Sequence, residues 1–517
     1  MDVPELEPPK IVVTVLLLWV LSLVIRVCNA LFLKPRRLRA MLKKQGIKGP
    51  PTTFLLGNLG DMNKAKAKLQ KPPPGERGIV HDVPAIIFPT FPQWTKQYGP
   101  TFMLSMGHVE ILLINDPEIA KEISLCTSLA FGKPSFPAKM FDPLLGQGVL
   151  NANGPDWSQQ RKIIAPEFFN EKVKGMTKLM VESASMVVDL FAAEIEKNGG
   201  VADINIENHI TKFATNVISR LCFGDNYSAG DEIFSKHKVL GDITSRIGTI
   251  NALFPLTKYV PTKDNRESRR LEKEIRALIL KVVNESKQVG NQKDILQLIS
   301  EGAKNVGLDQ AATNRYIVDN CRNIYAAGFE TTAATAMWTL MLLAINPEWQ
   351  TRAREEVQEI CQGQMPDADM IRKMKVLTMV IYEALRLYPP APLVARESLE
   401  DLKFGNINIP KGLNVWTMFL TLHYDQDIWG PDAHVFKPER FANGISGSCK
   451  HPHVYMPFGA GARICLGQHF AMAELKLLLS LILSNFSFSL SPKYRHSPVL
   501  TVILRPEHGV DLTMRKL

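Results

Sequence analysis

The sequence predicts a mainly α-helical protein with a minor β component, preceded by one N-terminal transmembrane helix. Long helical patterns fill most of the chain from about Asp156 to Leu387, and another follows Leu466. Strand-like patterns are confined to 101–115, around a Gly-His turn, and to 393–422, which Gly and Pro residues divide. An apolar run near the N-terminus supplies the membrane segment.

Length and composition bound the number of domains. The chain has 517 residues, of which 45% are hydrophobic and 22% charged, so it can bury a large core. Length alone would allow about three domains. The sequence contains no long Gly/Ser-rich linker and no internal repeat. One large catalytic body is therefore at least as consistent with the sequence as several small ones.

Residues 11–33 are long and apolar enough to span a membrane. As a helix they would extend about 34 Å, against a hydrocarbon core of about 30 Å. Arg26 and Asn29 lie near one end, where a long side chain can reach the interface. A cleaved signal peptide is the alternative, because the uninterrupted apolar run stops at Ile25. An uncleaved anchor is favoured by the missing cleavage site and by the preceding acidic residues, Asp2, Glu5 and Glu7.

Positive charge follows the apolar run and predicts that this side of the membrane is cytosolic. The basic residues are Lys34, Arg36, Arg37, Arg39, Lys43 and Lys44. We divide the chain into an N-terminal anchor (1–33), a basic, proline-rich hinge (34–51) and a catalytic domain (52–517). A cytosolic body also predicts no glycan on the three acceptor sequences, at Asn226, Asn284 and Asn485.

Charge and cysteine content narrow the class of protein. The net charge is +10, but the basic residues are dispersed outside the cluster that follows the apolar run. A membrane surface or an acidic protein partner therefore fits better than nucleic acid. The seven cysteines are far apart and form no Cys-x-x-Cys pair, which suits a reducing compartment and excludes a disulfide framework.

Residues 458–467 read FGAGARICLG and predict a loop that binds a flat ligand. Its three glycines allow close backbone approach. We expect a helix from Leu466 onward, whose N-terminus would stabilise a Cys465 thiolate. Such a sulfur on haem iron favours O–O cleavage, and Arg463 is placed to bind a haem propionate. A lone cysteine before a helix is usually only a buried thiol, but this spacing is much rarer.

The spacing Phe-x-x-Gly-x-Arg-x-Cys-x-Gly resembles the cysteine-ligand loop of the cytochrome P450 superfamily. The resemblance implies the cytochrome P450 fold for the body and haem b as its cofactor. It implies that Cys465 is the axial ligand of the haem iron. It also implies that Phe458, Arg463 and Gly467 contact the haem.

Glu383 and Arg386 lie three residues apart in a predicted helix and so share one face. Alone, they would be interpreted as a surface ion pair that contributes about 0.2–0.5 kcal/mol. In the family this Glu-x-x-Arg pairs with an arginine of a Pro-Glu-Arg-Phe segment, here residues 438–441. The resemblance therefore implies a structural triad of Glu383, Arg386 and Arg440.

Two further motifs resemble haem contacts of the family. Trp157 and Arg161 stand one helical turn apart and match its Trp-x-x-x-Arg helix, whose side chains contact a propionate. Arg396 falls where the family often has another propionate ligand. Without the resemblance, Trp157 and Arg161 would be an aromatic residue and a cation on a surface helix.

Residues 327–332, AGFETT, are predicted to interrupt a helix that begins near Tyr316. Gly328 beside threonine hydroxyls can loosen the backbone hydrogen bonds and open a groove for dioxygen. In the family an acid-alcohol pair relays protons there, so the resemblance assigns catalytic roles to Glu330 and Thr331. A Gly-weakened core helix is the alternative, but all five motifs occur in the family's order.

Longer segments, such as 151–169 and 317–332, resemble one plant group, family 714. Members oxidise gibberellins or related diterpenoids, and some relatives oxidise pentacyclic triterpenoid acids. Substrate contacts are expected from small or apolar residues, which are Ala326, Ala327, Ala391, Val394 and Val499.

The resulting hypothesis is an endoplasmic reticulum monooxygenase with one anchor and a cytosolic catalytic domain. It would insert one atom of O2 into a gibberellin or related diterpenoid acid. NADPH would supply electrons through a membrane flavoprotein, NADPH–cytochrome P450 reductase. The alternatives are a triterpenoid acid as substrate, a haem-thiolate isomerase that needs no reductase, and a non-enzymatic haem or scaffold protein. The isomerase is disfavoured because such relatives typically lack the acid-threonine pair.

Overall fold

A computed structural model describes residues 8–69, 79, 81–224, 229–289, 295–305 and 308–517. The acidic residues that the anchor interpretation used, Asp2, Glu5 and Glu7, lie outside the described residues, as does the acceptor asparagine Asn226. Within the described part, the predicted fold class is confirmed: helices form most of the chain and strands form a minor part.

The helices of the first half carry the anchor and the N-terminal part of the body. They are α1 (Pro8–Cys28), α2 (Lys34–Lys44), α3 (Leu59–Lys68), α4 (Val83–Ile87), α5 (Phe91–Tyr98), α6 (Pro117–Leu125), α7 (Ser135–Met140), α8 (Asp142–Leu145), α9 (Gly154–Ile164), α10 (Asn170–Gly175), α11 (Thr177–Lys197) and α12 (Glu207–Phe223).

The remaining helices surround the centre of the body. They are α13 (Ala229–Leu253), α14 (Lys263–Val289), α15 (Ile295–Asn305), α16 (Gln310–Ile345), α17 (Pro347–Cys361), α18 (Ala368–Lys373), α19 (Lys375–Leu387), α20 (Phe419–His423), α21 (Gln426–Trp429) and α22 (Gln468–Asn485).

The strands form small sheets at the edges of the helical body. They are β1 (Thr101–Met106), β2 (Val109–Ile114), β3 (Phe131–Gly132), β4 (Val201–Asn205), β5 (Val394–Ser398), β6 (Leu402–Phe404), β7 (Ile407–Ile409), β8 (Asn414–Thr417), β9 (Phe486–Leu490), β10 (Pro498–Leu500), β11 (Leu504–Pro506) and β12 (Asp511–Lys516). The largest sheet has the order β1-β2-β8-β5-β3, and a second has the order β4-β12-β9.

The strand predictions are confirmed with two differences. β1 and β2 form the expected hairpin, and Gly107 takes a positive φ of 61° in its turn. The region 393–422 supplies β5 to β8, but its end is the helix α20 rather than a strand. β4 was not predicted from the sequence, because this five-residue strand depends on pairing with β12, about 300 residues away.

The N-terminal helix suggests a membrane anchor. Helical structure is continuous from Val12 to Lys44, and its apolar part is exposed. The other long apolar helix, α16, is mostly buried inside the body and is its central core helix.

The segment proposed as a hinge packs against the body. Leu38 and Leu42 of α2 are buried, Leu42 in a hydrophobic cluster with residues of β1 and β2, and Arg39 pairs with Glu110 at 3.2 Å. The expected boundary after residue 33 therefore falls within a continuous helix that already contacts the body. The three-part division of the chain remains a prediction.

Candidate functional site

A cavity of about 350 Å³ lies between α16 and the segment 458–467, called here the cysteine loop. Its volume falls in the usual range for small-molecule sites. Most of its lining is apolar, and Cys465 lines it together with Ala327 and Gly328 of α16. We call the wall formed by the cysteine loop and its neighbouring cations the proximal wall, and the wall formed by α16 the distal wall.

Backbone bonds set the conformation of the cysteine loop. The N–H of Cys465 donates to the carbonyl of Phe458 at 2.8 Å. Gly461 has a positive φ of 67°, and a Cβ there would collide with the Ser124 carbonyl at the end of α6. The helix α22 begins at Gln468, two residues later than the sequence predicts, so Cys465 lies just before its first turn.

Protein atoms alone do not favour the thiolate at Cys465. Burial raises the pKa of its thiol, while the N–H of Gly467 and the charge of Arg161 lower it. A thiol coordinated to a metal ion loses its proton regardless. The electrostatics at this sulfur therefore suit a metal ligand rather than a free nucleophile.

Trp157 is the centre of a group of cations. The Arg463 guanidinium stacks 4.1 Å from its ring, and Arg161 lies 5.8 Å away. Arg463 is oriented by the Ala152 carbonyl at 3.1 Å, and Arg161 by the Ile464 carbonyl at 3.0 Å. The structure thus brings the predicted helix motif and the predicted loop arginine together on one side of the cavity.

Lys133 and Arg396 complete this group, and Lys133 was not predicted from the sequence. Burial is the main cause that lowers the pKa of Lys133 to about 7, of Arg463 to about 9 and of Arg396 to about 10. Repulsion from the neighbouring arginines lowers the pKa values of Lys133 and Arg463 further. No carboxylate contributes to these shifts. No sequence motif marks Lys133, which follows the two-residue strand β3.

The cations fit the cofactor that the family implies. Charges with few partners are costly to bury, and no carboxylate is among the described groups that shift the pKa values of these four cations. The two propionates of a haem would supply the missing negative charge through charge-assisted hydrogen bonds. The cavity between this group and Cys465 is therefore suited to haem.

On the distal wall, α16 runs without a break from Gln310 to Ile345. The predicted interruption at 327–332, and the predicted start near Tyr316, are therefore wrong. The Thr331 hydroxyl donates to the Ala327 carbonyl at 2.7 Å, so it adds to the helical bonding without displacing it. Gly328 is needed because a Cβ there would press on Ile218 of α12.

The two predicted catalytic residues face different surroundings. Thr331 lines the cavity, whereas Glu330 does not and is directed towards Arg505 and Asp242. Burial raises the pKa of Glu330 to about 7, Arg505 lowers it, and Asp242 raises it further. Glu330 can therefore hold or release a proton near neutral pH, but from outside the cavity wall.

Three of the five predicted substrate contacts line the cavity, namely Ala327, Ala391 and Val394. Ala326 is buried in the core, and Val499 pairs with Arg505 in the β10–β11 hairpin; neither is among the lining residues.

The segment 144–150, called here the distal loop, brings Val149 and Leu150 to the cavity. Side chains of α16 bind its backbone. Asn320 accepts from the Val149 N–H at 2.9 Å, and Asn323 accepts from the Leu150 N–H at 2.8 Å. Asn323 also donates to the Leu145 carbonyl. These asparagines were not predicted, because their pattern matches no motif.

The predicted triad lies together where α19 meets the segment that precedes the cysteine loop. Arg386 and Glu383 form two bonds of 2.7 and 2.8 Å and are both fully buried. Arg440 approaches Glu383 at 3.4 Å and pairs with Asp432 at 2.7 Å. Arg386 also donates to the carbonyls of His423 and Ala433, so it fastens α19 to the segment that precedes the cysteine loop.

Comparison with known proteins identifies the family. A sequence model of the cytochrome P450 family matches residues 77–514. Cytochrome P450 714B2 of Oryza sativa subsp. japonica is 45% identical over 504 residues, covering 95% of this chain and 93% of that protein. Cytochrome P450 714B3 of Zea mays is 44% identical over 524 residues, covering 100% and 98%. Cytochrome P450 714A2 of Arabidopsis thaliana is 41% identical over 488 residues, covering 92% of each. With Cys465, its neighbouring cations and α16 all lining one cavity, the chain belongs to the cytochrome P450 family, is similar to its family 714 members throughout, and is a P450 monooxygenase.

Proposed function

We propose that this monooxygenase oxidises a gibberellin or a related diterpenoid acid at an unactivated C–H or C=C bond. The largely apolar cavity suits a rigid hydrocarbon skeleton. The similarity to family 714 supports this substrate class, since the group that the sequence resembles acts on gibberellins and their precursors. A pentacyclic triterpenoid acid is the second candidate, because it offers the same chemistry on a larger skeleton.

The observation that carries the proposal is the group of half-buried cations around Trp157, which lines the same cavity as Cys465. Cys465 would be the axial ligand of the haem iron, and Arg161, Arg396, Arg463 and Lys133 would bind the propionates. Phe458 and Gly467, which line the cavity, would contact the haem. When bound, the haem supplies the oxygen-activating chemistry.

The residues of the distal wall would position substrate and move protons. Val149 and Leu150 would exclude water from the reacting carbon, with Ala391 and Val394 beside them. Thr331 would turn its hydroxyl from the Ala327 carbonyl into the cavity and donate a proton there. Glu330 would resupply Thr331, because its pKa of about 7 allows it to carry a proton under working conditions.

Electrons would come from NADPH through a membrane-bound flavoprotein reductase, with the chain anchored in the endoplasmic reticulum and its body in the cytosol. Basic residues next to the exposed apolar helix, among them Arg36 and Arg37, support this orientation. The net charge of +10 suits docking to an acidic partner.

The test is product formation by microsomes that contain the chain and a plant reductase. They are given NADPH with each member of a panel of gibberellins and triterpenoid acids, and products are identified by mass spectrometry. We expect NADPH-dependent addition of one oxygen to at least one gibberellin-type acid, and none in microsomes with Cys465→Ala. Turnover of triterpenoid acids alone would replace the substrate class, and rearrangement without NADPH would instead support the isomerase.

A further inference from the structure

Two histidines and a glutamate converge on the surface where α6 begins, outside the haem cavity. The Oε1 atom of Glu118 lies 3.3 Å from His451 Nδ1 and 3.9 Å from His453 Nε2. All three potential ligand atoms lie within 4.8 Å of one another. The two imidazoles are partly exposed and Glu118 is largely exposed, so solvent ions can reach the group.

Two separate elements hold the group together. Glu118 stands in the first turn of α6, which the Asp116 side chain caps through the N–H groups of Glu118 and Ile119. His451 and His453 flank Pro452, at the start of a short turn whose Val454 is fully buried. Because α6 packs directly on this turn, Glu118 meets the two histidines although more than 300 residues separate it from them in the sequence.

The distances suit a transition-metal ion. Ligands about 2.0–2.1 Å from a tetrahedral ion lie about 3.3–3.4 Å from one another. The Glu118–His451 separation already has this value. The Glu118–His453 separation is longer, and a small side-chain rotation would bring it to this value. Two imidazoles and one carboxylate are a common ligand set for divalent metals of intermediate softness. We propose that Glu118, His451 and His453 form a Zn²⁺ site, with water completing the coordination.

An ion pair is the competing explanation, since a protonated imidazole would also approach Glu118. His453 Nε2 lies 3.0 Å from the Pro117 carbonyl, and without an ion it would donate its proton there. Zinc would take that nitrogen in its neutral, deprotonated form and release the proton. The two explanations therefore differ in whether the group holds a metal at all.

The position gives the site a structural consequence. The first turn of α6 would be joined through the ion to the turn at 452–454, which leads into the cysteine loop. The other end of α6 contacts the same loop, where the Ser124 carbonyl faces Gly461. A bound ion would thus add a second attachment of α6, to the chain just before the cysteine loop, beside its contact within the loop at Gly461.

Zinc binding to the tag-free, haem-loaded protein tests the proposal. The protein is equilibrated with Zn²⁺ by dialysis, and zinc is measured per haem iron by elemental analysis, which corrects for differences in haem loading. His451→Ala and His453→Ala remove the proposed ligands. His508→Ala is the matched control, because His508 is another exposed histidine beside a glutamate.

We expect one zinc per haem in the wild-type protein and in His508→Ala. The His451→Ala and His453→Ala proteins should bind it more than about 10-fold more weakly, since loss of only an outer-shell partner already costs that much. X-ray absorption at the zinc edge should show only nitrogen and oxygen ligands, at about 2.0–2.1 Å. Equal zinc content in the wild-type, His451→Ala and His453→Ala proteins would overturn the proposal, as would a wild-type protein that binds none.

Discussion

The proximal and distal walls of the cavity are held by different kinds of interaction. The proximal wall depends on charge: cations surround Trp157, and the fully buried Glu383–Arg386 pair holds α19 to the segment that leads towards the cysteine loop. The distal wall depends on neutral hydrogen bonds, in which Asn320 and Asn323 bind the backbone of the distal loop. Breaking a buried ion pair is far more costly than losing one neutral bond.

This difference explains what each wall can do. Holding a charged cofactor requires ionic groups in fixed positions. Few residue types can therefore replace those of the proximal wall. A substrate pocket requires shape more than charge, and several small or apolar residues could supply the same surface. We therefore expect proximal substitutions to affect folding and haem, and distal substitutions to affect coupling and ligand choice.

Arg386→Ala should have the largest effect on the protein. It leaves the Glu383 carboxylate buried and unpaired and removes the bonds to His423 and Ala433, at a cost of about 3–5 kcal/mol of unfolding free energy. Denaturant unfolding of the holoprotein, or its yield if it does not accumulate, measures this. Arg352→Ala is the control, because its pair with Glu439 is exposed and worth less than about 1 kcal/mol. Equal stability of the two variants would remove the distinction between buried and surface pairs.

Thr331→Ala should leave haem binding intact but divert electrons to peroxide. Without its hydroxyl, proton delivery in the cavity slows, and product formed per NADPH should fall by a factor of about 100, the low end of the range for general acid catalysis. NADPH consumption, peroxide and product are measured together. Thr339→Ala is the control, since Thr339 also bonds to an i−4 carbonyl but lies away from the cavity. Unchanged coupling in Thr331→Ala would remove its relay role.

Glu330 should give the coupling a dependence on pH. Its folded-state pKa of about 7 is raised, so the neutral, proton-donating form predominates below that pH and is lost above it. Product per NADPH should therefore decrease as the pH rises from about 6 to 8. The same raised pKa means that the carboxyl's contribution to stability decreases as the pH rises through this range. In Glu330→Gln the inflection near pH 7 in product per NADPH should disappear. If the variant keeps the inflection of the wild-type protein, the inflection belongs to another group.

Asn323→Ala should have the smallest effect and should alter ligand affinity rather than haem content. It leaves the Leu150 N–H without its partner, which costs the distal loop about 1–3 kcal/mol. Spectral titration should show a several-fold weaker binding of a bulky azole and unchanged binding of imidazole, which is too small to reach the loop. Asn314→Ala is the control, since Asn314 is on the same helix and its side chain, among the described residues, bonds to the exposed Gln310 side chain. Equal loss of both ligands would contradict a selective role.

The proximal wall could largely be predicted from sequence, because its chemistry requires particular residues at fixed spacing. Trp157, Arg161, Arg463 and Cys465 meet around one cavity as their motifs indicate. Lys133 belongs to the same group but could not be predicted, because its position depends on how β3 pairs with β5 rather than on a local sequence pattern. The distal wall was predicted less well. Asn320 and Asn323 match no motif and look like other polar residues in a helix. The predicted break in α16 does not form, because the Thr331 hydroxyl bonds to a carbonyl within the intact helix.

The role of Cys465 as the ligand of the haem iron is tested most directly by the absorption spectrum of the reduced, CO-bound protein. The wild-type protein and Cys449→Ala, which removes another partly buried cysteine before the same loop, should both show the thiolate-type spectrum. Cys465→Ala should lose it, because no other cysteine or methionine is among the described residues that line the cavity. A thiolate spectrum that survives Cys465→Ala, or a wild-type protein that binds haem through another side chain, would contradict the account.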